Sequence, residues 1–250
     1  MDLYEAFALG PGSIVSIVGA TGNTRLAYGL AREAAARGLS VVVTSSAGLP
    51  MAPESSIDVV EAATEEVCDR LAGAIRPGRI VIATPRSDRE RHWERYPEAV
   101  IDEIGKMVRP GLLVVKSDGS RGRPLKAPAA HEPPIPSSAT QVIVCVGLAI
   151  LSEPFTGDHV HRIEDARALA TCTEGELVTA DVVVEVLTHD QGGRKNVPAG
   201  ARLSVLLDGP ATAEHERLGS YIAGRLVYNG FHRGVVAVTD PWCDVRAVVR

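Results

Sequence analysis

The fold is decided by one stretch, Ser13–Ala36, which reads SIVSIVGATGNTRLAYGLAREAAA. Isoleucine and valine dominate its first six positions and predict a buried strand, whereas Leu26, Leu30 and Ala34 follow at helical spacing. Between them stands the loop Gly19-Ala20-Thr21-Gly22-Asn23-Thr24. Small residues let the backbone wrap an anion, and the N–H groups that begin a helix attract negative charge. The stretch therefore predicts a strand, a tight turn and a helix that hold a phosphate.

This loop departs from the standard phosphate-binding pattern, G-x-x-x-x-G-K-[ST], in two places. Ile17 stands at the first glycine position and Asn23 at the lysine position, while Thr24 occupies the position of the hydroxyl that binds Mg²⁺. Without the lysine, the charge that develops on a transferred phosphoryl group loses a main stabiliser. Rapid hydrolysis is therefore hard to support unless Arg25 or another arginine takes over that role.

The same loop allows two other interpretations. Its string GATGNT also resembles the dinucleotide loop of atypical short-chain dehydrogenases of the NmrA type, which would make the protein an NAD(P)-binding oxidoreductase. Against this, the second predicted strand runs into Ser45 and Ser46 without the acidic residue that would bind a ribose. The third interpretation is a strand-to-helix turn that binds nothing.

Short β-branched runs alternate with longer segments of helical periodicity over most of the chain, which is typical of βαβ units around a parallel sheet. The predicted strands are Ser13–Val18, Leu39–Thr44, Arg79–Ala83, Leu112–Lys116, Gln141–Val146, Ala201–Leu207 and Gly234–Val238. The predicted helices are Asn23–Arg37, Ala62–Ala74, Trp93–Val108, Ala180–Leu187 and Ala213–Tyr228. We expect one α/β domain over residues 1–250, with a doubly wound, mostly parallel sheet. A proline-rich loop at 118–138 and a small irregular insertion at 151–179 interrupt the alternation.

Composition excludes several classes of protein. The formal net charge is -5 and lysine and arginine form no long run, so a nucleic-acid partner is not expected. No apolar run approaches the ~20 residues that span a bilayer, and acidic residues stand near the N-terminus, so we expect a cytoplasmic protein without a membrane partner. The four cysteines lie far apart and do not predict a zinc site.

A second candidate site follows the predicted strand Leu112–Lys116. Asp118 and Ser120 come at its carboxyl end, which is the edge where open α/β sheets bind ligands. A carboxylate there can hold Mg²⁺, so we expect Asp118 to bind the metal together with Thr24 and to serve in catalysis with Arg121.

Basic residues of the same loop predict a phosphate or carboxylate clamp made of Arg121, Arg123 and Lys126, unless they are merely solvated. His131 could act as an acid, a base or a ligand, or could pin the loop through a hydrogen bond. The residues expected to contact the bound ligand are Gly19, Ala20, Thr21, Gly22, Asn23, Thr24, Arg25, Ser120, Arg123, Lys126 and His131.

The run Asp118–Pro136, DGSRGRPLKAPAAHEPPIP, resembles the YqeC family, accessory proteins for selenium-dependent molybdenum hydroxylases. Later segments at Val142–Leu148, Val160–Arg162 and Gly192–Arg202 are also similar, so the resemblance covers most of Ser13–Pro210. It implies a P-loop NTPase-like, three-layer fold and a role in preparing or inserting the selenium-containing molybdenum cofactor. The implied partners are a molybdenum hydroxylase or its cofactor and a phosphate-bearing small molecule, with a nucleoside triphosphate (ATP, GTP or CTP) and Mg²⁺ as cofactors.

Three departures from the family pattern concern the phosphate, the metal and the base. Relatives usually have lysine at the position of Asn23 and Asn-Lys-x-Asp near the position of Asp208-Gly209. They also usually have glutamate shortly before the Asp-Gly-Ser motif, whereas this chain has Lys116 before Asp118-Gly119-Ser120. We therefore expect weak or absent hydrolysis of the bound nucleotide. Lys116 or Arg25 could supply the missing charge, or the chain could be a non-catalytic chaperone that has lost nucleotide binding.

Overall fold

The computed structural model describes residues 1–50, 57–85, 92–109, 111–240 and 243–250. Its helices are α1 (Leu3–Ala6), α2 (Asn23–Ala36), α3 (Val67–Ala74), α4 (Glu98–Val108), α5 (Ile163–Arg167), α6 (Ala180–Thr188) and α7 (Ala213–Tyr228), and a 3₁₀ turn covers Leu148–Ile150. Its strands are β1 (Ile14–Gly19), β2 (Val41–Ser45), β3 (Leu49–Pro50), β4 (Asp58–Glu61), β5 (Ile80–Thr84), β6 (His92–Trp93), β7 (Leu112–Lys116), β8 (Leu125–Lys126), β9 (Gln141–Gly147), β10 (Val160–His161), β11 (Arg202–Asp208), β12 (Arg233–Val238) and β13 (Asp244–Val249).

Within those ranges, nine strands form one sheet in the order β13-β12-β11-β9-β1-β7-β2-β5-β4. All neighbouring pairs are parallel except β12 with β13. The chain builds the sheet outward from β1 through β2 on one side, returns with β7, and then continues on the other side with β9, β11 and β12. This reversal beside β1 places the glycine loop at the point where doubly wound sheets bind ligands.

Helices cover both faces of the sheet. On β1, Val15 and Ile17 face α1 and α2, whereas Ile14 and Val18 face the opposite layer. In that opposite layer, α3 and α4 cover one half of the sheet, and α6 and α7 cover the other half. Because both faces of the central strands are buried, their sequences are almost continuously apolar. The result is a three-layer α/β fold of the P-loop NTPase-like kind, as predicted.

The predicted strands and helices are all present, but two helices begin later than expected. Helix α3 begins at Val67 rather than Ala62, and α4 begins at Glu98 rather than Trp93. Pro97 is the N-cap of α4 with extended backbone, and a proline disfavours helical backbone in the residue before it. The edge strands β4 and β13 went unpredicted, because both lack the continuous apolar run of the central strands: β4 has only two valines between acidic residues, and charged and apolar residues alternate at the start of β13.

The proline-rich loop and the insertion are joined at the carboxyl edge of the sheet. Strand β8 of the loop pairs in parallel with β10 of the insertion. From the far half of the chain, the Nζ of Lys195 donates to the carbonyl of Ala129 at 2.7 Å, and the Nδ2 of Asn196 donates to that of Pro133 at 3.0 Å. The basic segment around Lys195 therefore holds the loop in place. Among the described helices, none is long and apolar enough to cross a membrane.

Candidate functional site

The glycine loop has the shape that its sequence predicts. Gly19 and Gly22 adopt φ values of +91° and +94°, where residues with side chains are strained. A Cβ atom would lie 2.6 Å from the carbonyl oxygen of Cys145 at Gly19, and 2.7 Å from Oδ2 of Asp208 at Gly22. Helix α2 begins directly after Gly22, and no side chain caps it. Its first N–H groups therefore remain available to a ligand.

Asn23, at the lysine position, ties the loop to the end of the neighbouring strand. Its side chain is buried, and its Nδ2 donates to the backbone carbonyl of Asp118 at 2.9 Å. Its Oδ1 accepts a long hydrogen bond of 3.4 Å from the Thr24 hydroxyl. Arg25 points elsewhere, since it forms an exposed ion pair of 3.0 Å with Asp240. Neither side chain takes over the role of the missing lysine.

Four charged side chains, Asp118, Lys126, Glu132 and Arg162, form what we call the ionic chain. The Lys126 ammonium, whose side chain is only 1% exposed, contacts Oδ1 of Asp118 and lies 2.8 Å from Oε2 of Glu132. The Arg162 guanidinium donates to both oxygens of Glu132, at 2.7 and 3.0 Å. Asp118 also accepts from the backbone N–H groups of Gly119 at 2.8 Å and Gly19 at 3.3 Å. The ionic chain therefore links the glycine loop to the insertion.

Burial raises and pairing lowers the pKa of both carboxyl groups in the ionic chain, and the balance differs between the two. At Glu132, burial raises the pKa, but hydrogen bonds from Arg162 and Lys126 outweigh it and hold the pKa at about 2. At Asp118, burial is the larger influence and raises the pKa despite the Lys126 ammonium. Glu132 is therefore the more firmly ionised of the two groups.

Thr24 and Asp118 do not form a ready Mg²⁺ site. The Thr24 hydroxyl donates to Asn23, and Lys126 already occupies the Asp118 carboxylate. Across the described ranges, no group of three histidine, cysteine, aspartate or glutamate side chains is placed to hold a metal ion. A Mg²⁺ ion would have to displace Lys126 from Asp118, and the predicted metal site stays a prediction.

Asp208 places a second carboxylate beside the glycine loop. Its Oδ1 accepts from the backbone N–H of Thr239 at 3.0 Å, and its Oδ2 faces Gly22. Burial raises its pKa. The sequence singled out Asp208 only as a departure from the family's base-recognition pattern, because its closeness to the loop depends on the pairing of β11 with β9.

A cavity of about 750 Å³ opens beside Asp118, and none of the residues Gly19–Thr24 is among those that line it. Its walls are the carboxyl ends of β2 and β7, the start of α4, the proline-rich loop and the segment around β10. Of the predicted site residues, Asp118, Arg121 and His131 line this cavity. The charged and histidine side chains along its walls are Arg95, Glu98, Lys116, Asp118, Arg121, His131, Glu132, His161 and Arg162.

Lys116, the last residue of β7, is the most deeply buried cation that lines the cavity. Its side chain reaches the backbone carbonyl of Gly48, with a distance of 2.8 Å from Nζ to oxygen. In the described part of the chain it forms no ion pair within 4.0 Å. Burial lowers its pKa to about 8, although the nearby Asp118 opposes that shift. The sequence offered Lys116 as a source of the charge missing from the phosphate loop, but its ammonium lies at the cavity.

The residues of the predicted clamp have separate partners. Arg121 lines the cavity, the Nε of Arg123 donates to the carbonyl of Gly157, and Lys126 belongs to the ionic chain. The Ser120 hydroxyl donates to the carbonyl of Arg123 at 2.6 Å, which shapes the turn. His131 is 77% exposed, so Glu132 rather than the imidazole pins the loop.

Sequence reasoning missed Arg95 and Arg162 as site residues. Arg162 belongs to the quoted segment Val160–Arg162, so its similarity to the family was a usable signal. Arg95 stands in a short stretch before α4 without any motif, and only the folded chain brings it to the cavity.

A model of the YqeC protein family matches residues 15–164, more than half of the chain. This chain belongs to the YqeC family. It is 31% identical to "Uncharacterized protein YqeC" of Escherichia coli (strain K12) over 190 residues, which cover 76% of this chain and 73% of that protein. The YqeC match begins in β1 and ends in α5, so it spans the glycine loop, the ionic chain and all the titratable residues of the cavity.

Proposed function

We propose that this YqeC-family protein is an accessory factor for the maturation of selenium-dependent molybdenum hydroxylases. In this role it binds a nucleotide or another phosphate ligand at the loop Gly19–Thr24, with weak or absent hydrolysis. The maturation role follows from the resemblance to the YqeC family, whereas the phosphate binding is carried by the uncapped start of α2, which follows two left-handed glycines at the carboxyl edge of the central strand. Such an arrangement of free N–H groups favours a phosphate.

We infer weak hydrolysis from the partners that the charged side chains around the loop already have. Asn23 carries no charge, Arg25 pairs with Asp240, and Lys126 is neutralised by two carboxylates. The Asp208 carboxylate lies close to the loop and would repel additional negative charge on a reacting phosphoryl group. Binding therefore relies on backbone N–H groups, which suits a ligand that is held rather than cleaved.

Nucleotide binding is tested by titrating the protein with ATP, GTP and CTP, with and without Mg²⁺, in a calorimeter. We expect at least one nucleotide to bind, and Thr24→Glu to weaken its affinity about tenfold or more through repulsion. An acidic residue in the first turn of a helix suits the helix dipole, so this variant should remain folded. Thr24→Gln, of the same size without the charge, is the matched control. Absence of heat with all three nucleotides would contradict nucleotide binding.

The maturation role is tested in a host that produces a selenium-dependent molybdenum hydroxylase. Loss of this protein is expected to leave the hydroxylase synthesised but inactive, and the wild-type chain and Thr24→Gln are expected to restore its activity. If Thr24→Glu restores activity equally well, the protein acts as a chaperone that does not need the loop. Full hydroxylase activity without this protein would contradict the role.

A further inference from the structure

The cavity beside Asp118 has the size and charge of a binding site of its own. About 750 Å³ lies within the range of small-molecule sites in proteins. Its walls come from segments far apart in sequence, from the end of β2 near Ser46 to Arg162 after β10. Four cations and two histidines line it beside three carboxylates, whereas the glycine loop contributes no residue.

Two of the three carboxylates that line the cavity are already neutralised. Asp118 and Glu132 both contact the buried Lys126, and Glu132 also pairs with Arg162. The third, Glu98, stands in the first turn of α4, where the helix dipole favours a negative charge. Counting Lys126, five cations face these three carboxylates, so about two positive charges of the cavity remain uncompensated.

Three cations of the lining lack a carboxylate partner within the described ranges. Lys116 donates only to the carbonyl of Gly48, and its ammonium lies 3.6 Å from where a Cβ of Gly119 would stand. Arg95 and Arg121 have no hydrogen bond or ion pair there. An ammonium buried without a counter-charge is costly, so a group that supplies this charge from outside would be bound favourably.

The backbone at Arg121 adopts an unusual conformation at the cavity. Arg121 adopts φ of +55°, which is uncommon for a residue with a side chain, and the following Gly122 is left-handed as well. The two residues turn the chain sharply at the rim of the cavity. Such backbone conformations cluster where proteins bind ligands.

We propose that this cavity is a second anion-binding site, distinct from the glycine loop, which takes a small phosphorylated ligand with about two negative charges. Lys116, Arg95 and Arg121 supply the positive charge, and Glu98 offsets part of it. The planar guanidinium groups suit the oxygens of a phosphate or a diphosphate group. The proposal does not depend on nucleotide binding at the glycine loop.

Calorimetric titration with inorganic pyrophosphate tests this site. We expect pyrophosphate to bind the wild-type protein, and Arg121→Asn and Lys116→Met each to weaken its affinity about tenfold or more. Asparagine tolerates left-handed backbone, and Arg121 is exposed, so Arg121→Asn should keep the fold. Citrate, a carboxylate anion of similar charge, is expected to bind more weakly than pyrophosphate.

Two controls separate the cavity from the glycine loop and from general charge effects. Lys106→Gln removes one positive charge from the exposed surface of α4 and is expected to leave the affinity for pyrophosphate within about twofold of the wild-type value. The titrations are repeated in the Thr24→Glu background, where the added negative charge disfavours a phosphate at the glycine loop, and Arg121→Asn is expected to weaken pyrophosphate binding about tenfold there as well. Failure of pyrophosphate to bind at millimolar concentration would overturn the proposal. A loss of affinity in Thr24→Glu but not in Arg121→Asn would also overturn it and would place the anion at the loop.

Discussion

Replacing Lys126 by methionine is expected to destabilise the protein by about 3–5 kcal/mol, because removing one partner of a buried ion pair leaves the other charge uncompensated. Here two carboxylates, those of Asp118 and Glu132, lose the same ammonium at once. Urea unfolding at pH 7, followed by circular dichroism, measures the loss. The slope of the transition should stay unchanged while its midpoint falls.

Lys106→Met is the matched control for this experiment. Lys106 pairs with Glu103 on the surface, and both side chains are more than half exposed. Its replacement is expected to leave the free energy of unfolding nearly unchanged, because an exposed ion pair contributes little. Adding Asp118→Asn to Lys126→Met should recover part of the loss, because one of the two unpaired carboxylates is then removed. An effect of Lys126→Met as small as that of the control would contradict the ionic chain.

The contribution of Glu132 to stability also has a definite dependence on pH. Its folded-state pKa of about 2 lies below the ordinary value of 4.5, so its contribution is complete above pH 4.5. That contribution is lost as the pH falls toward 2. The difference between the wild-type protein and Lys126→Met is therefore expected to shrink over the same interval.

Replacing Lys116 by methionine is expected to have the opposite effect and to stabilise the ligand-free protein by about 2 kcal/mol at pH 7. Burial lowers the pKa of Lys116 from 10.5 to about 8. At ~1.4 kcal/mol per unit, this corresponds to a cost of about 3 kcal/mol for keeping the ammonium charged in the folded state. The variant also loses the hydrogen bond to Gly48, which reduces the expected stabilisation by about 1 kcal/mol.

The dependence on pH distinguishes this explanation from a simple packing effect. A folded-state pKa below the unfolded value means that the wild-type protein gains stability as the pH rises from about 8 to 10.5. Lys116→Met lacks this gain, so its advantage should be complete below pH 8 and disappear near pH 10.5. Urea unfolding at pH 7 and pH 10 measures both values. If Lys116→Met were equally destabilised at pH 7 and pH 10, the explanation by a buried, unpaired ammonium would be contradicted.

The two lysines differ in a way that only their surroundings explain. Both stand near the carboxyl end of β7, and both are buried. Lys126 meets Asp118 and Glu132, which neutralise it, whereas Lys116 meets a carbonyl. Sequence reasoning placed a positive charge near Asp118 in each case. The sequence did not show which of the two charges is neutralised inside the protein and which remains available to a ligand.

Local pattern by itself determined the central strand, the glycine loop and α2, the alternation of strands and helices, and the family. These features depend on residues that lie close together in the chain, where apolar spacing and glycine positions act directly. The edge strands β4 and β13 were not predicted, since they lack the continuous apolar runs of the central strands and their pairing with β5 and β12 is a long-range contact.

Tertiary structure alone decided what each polar residue does. Asn23 is separated from Asp118 by 95 residues, yet its side-chain amide donates a hydrogen bond to the Asp118 carbonyl. It therefore cannot take the role that lysine has in standard phosphate-binding loops. The cavity joins Arg95, Lys116 and Arg162 only because the carboxyl ends of parallel strands and the pairing of β8 with β10 bring their segments to one edge. Charge and burial at that edge depend on these long-range contacts, which no local pattern encodes.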